Sequence, residues 1–509
     1  MKMIKIALSA FIISQCGMVF CHAQPPERQG YPQRQRLKDF RPAGRNQGIQ
    51  KEQFREPARL DQKLITIVVG GVFGQIKPLL GVNAGPAPSG EAGNAELSEQ
   101  YRWAGVNAVR THDLYGPLDL SVIYPDINAD PADPASYDFK SSDAAFAAIV
   151  DAGLEPYLRL GDSYNNVRIP CNDRERKNLV SAAAFVVRHY RQKAMNGLKA
   201  PLRYVEIGNE PDNKKFWPAG FDDFWPFFAG TFSILKKEFP GLKIGGPGFV
   251  VATYKIPSAR EKIVRFFDYL HGRGIVLDFV SFHLYSNDPS EYYDLVAFYR
   301  ETARKAGQGG AELHITEWNT EREKHGVRGV RGVRLGNSKD APFQTAAWIA
   351  LQEAGTDASY LYRGNDTNIN SPNFFGIFYA DGRNKPAANA FHLWGLMARF
   401  SHKLVLSTGV DLLDREPSLT GSLKPLWILA GRDNTGSVAL LLSNIGSEPI
   451  TYQLSLPAGA TAAEIKELSV SERELKSYTA SGPSFVINPF TVQFVRLSAG
   501  KQADCLEQD

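Results

Sequence analysis

Two short stretches of the chain end in a glutamate in the same manner. Tyr204-Val205-Glu206-Ile207-Gly208-Asn209-Glu210-Pro211 alternates side chains as a strand with two unlike faces does. Pro211 has no amide hydrogen to donate, so the ladder stops there and Glu210 stands at the strand's rim. Leu313-His314-Ile315-Thr316-Glu317-Trp318-Asn319 has the same design and delivers Glu317. Two carboxylates facing one another across a sugar are sufficient for glycoside hydrolysis. One is protonated and donates to the leaving oxygen; the other is ionised and attacks the anomeric carbon. The spacing expected for that covalent, configuration-retaining route is about 5–5.5 Å, whereas ~8 Å would point to inversion.

For the two glutamates to meet, the strands that carry them must end on the same rim. From Leu79 to Phe400 the chain alternates strand and helix patterns with a regular beat. Strands are expected at Leu79–Asn83, Asn107–His112, Glu155–Leu160, Tyr204–Pro211, Lys243–Gly246, Asp278–Tyr285, Leu313–Asn319 and Ser359–Tyr362. Helical patterns follow each of them, among them Lys177–Tyr190, Asp222–Phe239 and Glu291–Ala306. Such alternation implies parallel pairing, and eight units imply an α/β fold of the closed (β/α)8 (TIM) barrel type. An open doubly wound sheet is the alternative, but Gly81-Val82-Asn83-Ala84-Gly85 lacks its phosphate-loop fingerprint. From Leu404 to Leu497 the texture becomes short alternating runs between Gly-, Asn- and Pro-rich turns, which predicts an appended antiparallel β-sandwich domain.

In such barrels the site lies at the C-terminal ends of the strands. Glu210 would end strand four and Glu317 strand seven. On strand six, His283 and Tyr285 share a parity and face the mouth, and Arg110 and His112 do so on strand two. Arg110 would keep Glu317 ionised, Tyr285 would orient it, and Asn209 would bond the sugar 2-hydroxyl. Trp318 either stacks on a sugar face or packs under the rim. Glu206, deeper in its strand, reads as structural and paired with an inward arginine such as Arg159. His314, out of register with Glu317, reads as structural too. The histidines form no His-Glu-x-x-His pattern, so no metal is expected, and the chemistry requires no cofactor.

These motifs resemble those of clan A retaining glycoside hydrolases, and the fuller pattern resembles family 39, which includes β-xylosidase and exopolysaccharide glycosidase types. It consists of Arg110-Thr111-His112, Ile207-Gly208-Asn209-Glu210-Pro211, Ser281-Phe282-His283-Leu284-Tyr285, Ile315-Thr316-Glu317-Trp318-Asn319 and a trailing β-sandwich. The resemblance implies that Glu210 is the acid/base, that Glu317 is the nucleophile, and that β-linked glycans are the substrates. One departure stands out. Clan A members often carry Trp at the end of strand eight, where this chain has Tyr360-Leu361-Tyr362-Arg363.

Length and composition agree with a barrel plus a second domain: 509 residues, 43% hydrophobic and 22% charged. A net charge of +4 does not suggest nucleic acid as a partner. Lys2 and Lys5, the apolar run Ile6 to Phe20 and Ala23 read as a signal peptide over residues 1–23, hence an exported protein, periplasmic or secreted. No stretch is expected to span a membrane. Residues 24–60 read as a basic linker, 61–75 as strand joining the β-sandwich, 76–402 as the barrel, 403–498 as the sandwich and 499–509 as a polar tail. Cys171 and Cys505 remain after cleavage and do not make a disulfide framework. The repeat Gly326-Val327-Arg328, Gly329-Val330-Arg331, Gly332-Val333-Arg334 is strongly basic. It reads as a solvated loop, with a cradle for an acidic polysaccharide as the sharper alternative. The expected partner is thus an oligo- or polysaccharide; the sequence carries no signal for oligomeric state. Two competing readings are a carbohydrate-binding barrel without turnover and a sugar-acid lyase or isomerase on the same barrel.

Overall fold

The computed structural model describes residues 64–88, 94–112, 116–164, 166–193, 197, 200–320, 340–366, 375–407, 424–455, 463–469, 474–482 and 484–497. The expected signal peptide, linker, basic repeat, polar tail and Cys505 lie outside these residues. Cys171 is exposed.

Strand β1 (Ile65–Gln75) precedes eight short strands: β2 (Gly81–Asn83), β3 (Ala108–Arg110), β4 (Glu155–Leu160), β5 (Tyr204–Ile207), β6 (Lys243–Phe249), β7 (Phe279–Tyr285), β8 (Glu312–Asn319) and β9 (Ala358–Leu361). These eight pair in parallel, in sequence order, and β9 closes onto β2. Each is followed by a helix, from Ser98–Ala104 after β2 to Pro386–Met397 after β9. The (β/α)8 barrel is therefore borne out. Helix starts differ by a few residues from the sequence pattern for local reasons. Helix Asp173–Gln192 begins a turn early because Asn172 caps it: its side chain accepts from Glu175 N at 3.0 Å, while Glu175 bonds back to Cys171 N at 2.7 Å.

The inside of the barrel is layered. Near its N-terminal end Tyr157, Tyr204, Phe279 and Tyr360 form a buried aromatic plug. The His314 ring joins it, stacked on Phe279 at 4.4 Å and bonded to the Tyr157 hydroxyl and to Glu312, each at 3.0 Å. This plug fills the bottom of the barrel and leaves depth for a ligand at the C-terminal mouth.

The second layer of the fold is a sheet of nine strands among the described residues. It contains β1, β10 (His402–Ser407), β11 (Leu426–Arg432), β12 (Val438–Asn444), β13 (Ile450–Ser455), β14 (Ala463–Leu468), β15 (Lys476–Ala480), β16 (Ser484–Ile487) and β17 (Thr491–Leu497). It is mostly antiparallel; the β1–β13 pair is parallel. The two parities of its central strands serve two cores. Ala439, Leu441, Val492 and Phe494 pack with the barrel's helices, whereas Leu440, Leu442, Val495 and Leu497 pack within the sheet's own fold. Strands buried on both faces read as unbroken apolar runs, which is why Val438 to Leu442 shows little alternation. Ser443 Oγ donates to Pro342 O at 2.7 Å, tying this sheet to helix Asp340–Ala354.

Candidate active site

The site is built on one guanidinium. Arg110, fully buried at the end of β3, donates from Nε to Glu206 at 2.6 Å. Its Nη1 donates to Asn83 Oδ1 and to Glu317 Oε1, both at 2.9 Å, and its Nη2 to Asn209 Oδ1 at 2.8 Å. Burial opposes the charge, but Glu206 and Glu317 outweigh it and hold the Arg110 pKa above its ordinary value. Glu206 is held below the ordinary carboxylate range: burial works against this, and Arg110 with the Ser281 hydroxyl prevails. The expected Glu206–Arg159 pair is thus corrected. Arg159 and Glu206 are neighbours in register across β4 and β5, but side chains of alternate strands share a layer inside a barrel, which puts β3's arginine against β5's glutamate. Arg159 instead bonds Asp119 at 2.7 Å.

Glu317 owes its orientation to a bulge. Phe282 pairs with Ile315 and His283 with Glu317, leaving Thr316 as an extra residue in β8. Without it, Glu317 would share a face with Leu313 and Ile315, which pack outward in the helical core. The extra residue rotates Glu317 into the mouth, so both His314 and Glu317 point inward at different depths. Asn83 holds the bulge by donating to Thr316 O at 2.9 Å. Once turned, Glu317 accepts from Arg110 on Oε1 and from the Tyr285 hydroxyl on Oε2, at 2.9 Å each, with His112 Nε2 at 3.4 Å. Burial and then Glu317 push the Tyr285 pKa well above 10, so Tyr285 is a neutral donor.

The same rotation sends Trp318 outward, into the core between barrel and helices. It is buried against Trp394 (5.9 Å, stacked), with Nε1 donating to Ser359 Oγ at 2.7 Å. Burying an indole of roughly 200 Å² is worth about 5 kcal/mol before entropy, so Trp318 contributes to the core.

Glu210 is reached through an abrupt turn. Gly208 has φ +94°, and a Cβ there would lie 2.7 Å from the Phe224 ring. Glu210 itself has φ +45°, a conformation that a side-chain-bearing residue keeps only where its surroundings hold it. Its N donates to Gly248 O at 2.9 Å, Asn213 Nδ2 donates to Oε2 at 3.1 Å, and His283 Nδ1 lies 2.9 Å from Oε1. Burial, aided by Arg110, takes the His283 pKa down to about 4, so its ring is neutral. Its Nε2 meets the Thr316 hydroxyl at 3.2 Å, and a hydroxyl satisfies either tautomer. His112 is likewise pushed well below 6.5, by burial first and then by Arg159 and Arg110.

The structure thus brings together Glu210, Glu317, Asn209, Arg110, His112, His283 and Tyr285. One oxygen of each glutamate and a His283 nitrogen lie within 4.8 Å of one another. Such a trio could in principle grip a cation, but Arg110 already supplies positive charge to Glu317 and Tyr285 occupies its other oxygen. Asn83 and Asn213 are residues that the sequence did not single out, and Tyr362 was noted only as part of a departure from the clan A pattern. The Tyr362 ring, half-buried just past β9, meets Tyr285 edge-on at 6.1 Å, so an aromatic does stand where clan A often has Trp.

Asp212 was also missed. Its carboxyl accepts from Val250 N (3.1 Å) and Thr253 Oγ1 (2.5 Å), clamping the turn beside Glu210. Burial, opposed by the Thr253 and Val250 bonds, pushes its pKa up to about 7 from 3.8. Between those values the folded protein keeps a proton that the unfolded chain releases. The stabilisation this group provides is therefore present at low pH and is lost as pH rises from about 4 through 7. Asp212→Asn should remove that loss, so the Tm of the variant minus that of the wild type should rise from pH 4 to pH 8. An equal difference at both ends would contradict the assignment.

The barrel matches known proteins. Residues 79–310 match the model of Glycosyl hydrolases family 39. Among solved structures, a glucosidase from Croceicoccus marinus superposes with TM-score 0.68 at 22% identity, covering 86% of this chain and 99% of that one. A monomeric β-xylosidase from Caulobacter crescentus CB15 gives 0.63 at 16% (86% and 99% covered), and the GH39 enzyme from Xanthomonas axonopodis pv. citri gives 0.64 at 16% (87% and 99%). At these identities the structures establish the shared fold. The family match bears out the resemblance and spans the motifs at 110–112, 207–211 and 281–285; the Ile315–Asn319 motif lies beyond its end.

Proposed function

Taking the chain as the glycoside hydrolase that its family 39 match makes it, we propose that it hydrolyses β-linked oligo- or polysaccharides with retention, by double displacement. The observation that carries this reading is a pair of carboxylates, one oxygen of each within 4.8 Å of one oxygen of the other, in unlike surroundings. At an effective dielectric of ~20, ionising both would cost roughly 3–4 kcal/mol, so the pair favours holding one proton. Arg110 and Tyr285 stabilise negative charge on Glu317, which assigns the proton to Glu210.

Glu210 gives its proton to the glycosidic oxygen as the C–O bond breaks, and Glu317 forms an ester to the anomeric carbon. The alcohol leaves. Glu210, now ionised, takes a proton from water, whose oxygen attacks that carbon and expels Glu317 as carboxylate. His283 remains bonded to Glu210 through both steps, because either of its tautomers is satisfied. Asn209 presents its carbonyl to Arg110, a group that only donates, and this leaves its buried Nδ2 without a partner among the described residues. That open donor supports a role for Asn209 in bonding the sugar 2-hydroxyl, and the Tyr285–Tyr362 ring pair supports an aromatic floor beneath the sugar.

The N-terminal pattern of Lys2, Lys5, Ile6 to Phe20 and Ala23 supports export before action. The 326–334 repeat, read above as a solvated loop, is the feature on which a preference for acidic chains would rest. NMR of the first-formed sugar tests the mechanism: the β-anomer is expected to precede mutarotation, and an initial α-anomer would contradict it. A glycan-array screen with product sizing identifies the sugar.

A further inference from the structure

Next to the catalytic pair, two aromatic rings lead outward along the rim. The Phe216 ring lies 6.4 Å from the His112 ring, and His112 touches Glu317. The Tyr164 ring lies 6.2 Å further on, packed edge-on against Phe216. Phe216 belongs to the turn that starts at Glu210: Asn213 N donates to Glu210 O and Phe216 N to Asn213 O, both at 2.9 Å. The ledge is therefore tied by backbone to the proposed proton donor.

Tyr164 is 57% exposed. The other large aromatics exposed to a similar degree among the described residues are Phe73, Trp103 and Tyr478. Phe73 and Tyr478 sit on the appended sheet, and Trp103 lies on an outer helix stacked on His392. Tyr164 is the one in a loop at the C-terminal ends of the barrel strands, four residues past β4. A tyrosine ring offers a flat apolar face at small entropic cost, because only two side-chain torsions must be fixed, and here Phe216 already restrains it. Lys215 Nζ lies 5.5 Å from the ring centre and adds a donor for hydroxyl or carboxylate oxygens. A pyranose ring has a matching apolar C–H face and an equatorial belt of oxygens.

We propose that Tyr164, backed by Phe216 and Lys215, forms a second sugar subsite beside the cleavage point, so that the enzyme binds a saccharide chain and not a single terminal residue. This rests on the hydrolase reading above, and the test separates the two. kcat/KM is measured for wild type, Tyr164→Ala and Tyr164→Trp on a β-glycosyl fluoride, whose leaving group is a single atom, and on β-linked oligosaccharides of three to five of the same sugar. Tyr164→Ala should lose about three- to tenfold on the oligosaccharides and leave the fluoride unchanged, and Tyr164→Trp should restore the difference. Equal change on both substrates, or none on either, would overturn the subsite while leaving the hydrolase intact. A wild type that cleaves neither substrate would remove the hydrolase reading and the subsite with it.

Discussion

Glu210→Gly should divide substrates by their leaving groups. With an unactivated sugar alcohol as leaving group, kcat/KM should fall by roughly 10²–10⁴, the usual contribution of general acid catalysis. With a dinitrophenyl glycoside, whose phenolate leaves without a proton, kcat/KM should stay within about tenfold of wild type. In that case the second step is impaired, because no base remains to activate water. The glycosyl-enzyme then accumulates, giving a burst of phenolate, a depressed kcat and a depressed KM. Azide occupies the vacated space and needs no deprotonation, so it should raise the steady-state rate and yield a β-glycosyl azide. Glycine is the right replacement because the backbone at position 210 holds φ +45°, which alanine would tolerate less well. Equal losses on both substrates, with no effect of azide, would mean that Glu210 is structural and that the proton comes from elsewhere.

How much of this was legible in the chain differs from residue to residue. The eight-fold strand–helix beat could be read because it depends on local apolar periodicity; Glu210 does stand at the rim, but β5 ends at Ile207 and the chain turns at Gly208, before the proline expected to halt the ladder is reached. Parity placed His283 and Tyr285 correctly because β7 runs regularly through them. It failed in β8, where the bulge at Thr316 reverses the faces. Taken literally, parity would have sent Glu317 outward and Trp318 into the mouth. A bulge has no compositional signature here, since Thr316 is an ordinary strand residue, and only the pairing with β7 reveals it. The Arg110–Glu206 pair was missed for a related reason. Both Arg110 and Arg159 face inward, and the choice between them depends on the stagger of strands around the barrel, which no single strand encodes. Asn83 and Asp212 act on backbone groups of distant turns, at Thr316 and Val250, and such partners become neighbours only once the barrel closes.

Glu317→Gln should abolish turnover on every substrate, whatever its leaving group, because the first bond cannot form. A loss on the order of 10⁴-fold or more is expected, in line with the removal of other enzymic nucleophiles. Two experiments bear on this role. Glutamine preserves the shape of the side chain and an oxygen for the Tyr285 or Arg110 bond, and Glu206 at 2.6 Å keeps the buried Arg110 charge paired. The variant should therefore fold, with its loss confined to chemistry. Second, the wild-type protein treated with an activated 2-fluoroglycoside should gain the mass of one fluoroglycosyl group, and peptide mapping should place it on Glu317. The fluorine slows both steps by withdrawing charge from the oxocarbenium-like transition state, and the activated leaving group rescues only the first. Glu317→Ala with added azide should yield the α-glycosyl azide, since the anion then enters from the face that the carboxylate vacated and no second displacement follows. Glu317→Gln retaining a tenth of wild-type activity, or the label mapping to another residue, would remove Glu317 from the role of nucleophile. It would then be left as the counter-ion of Arg110.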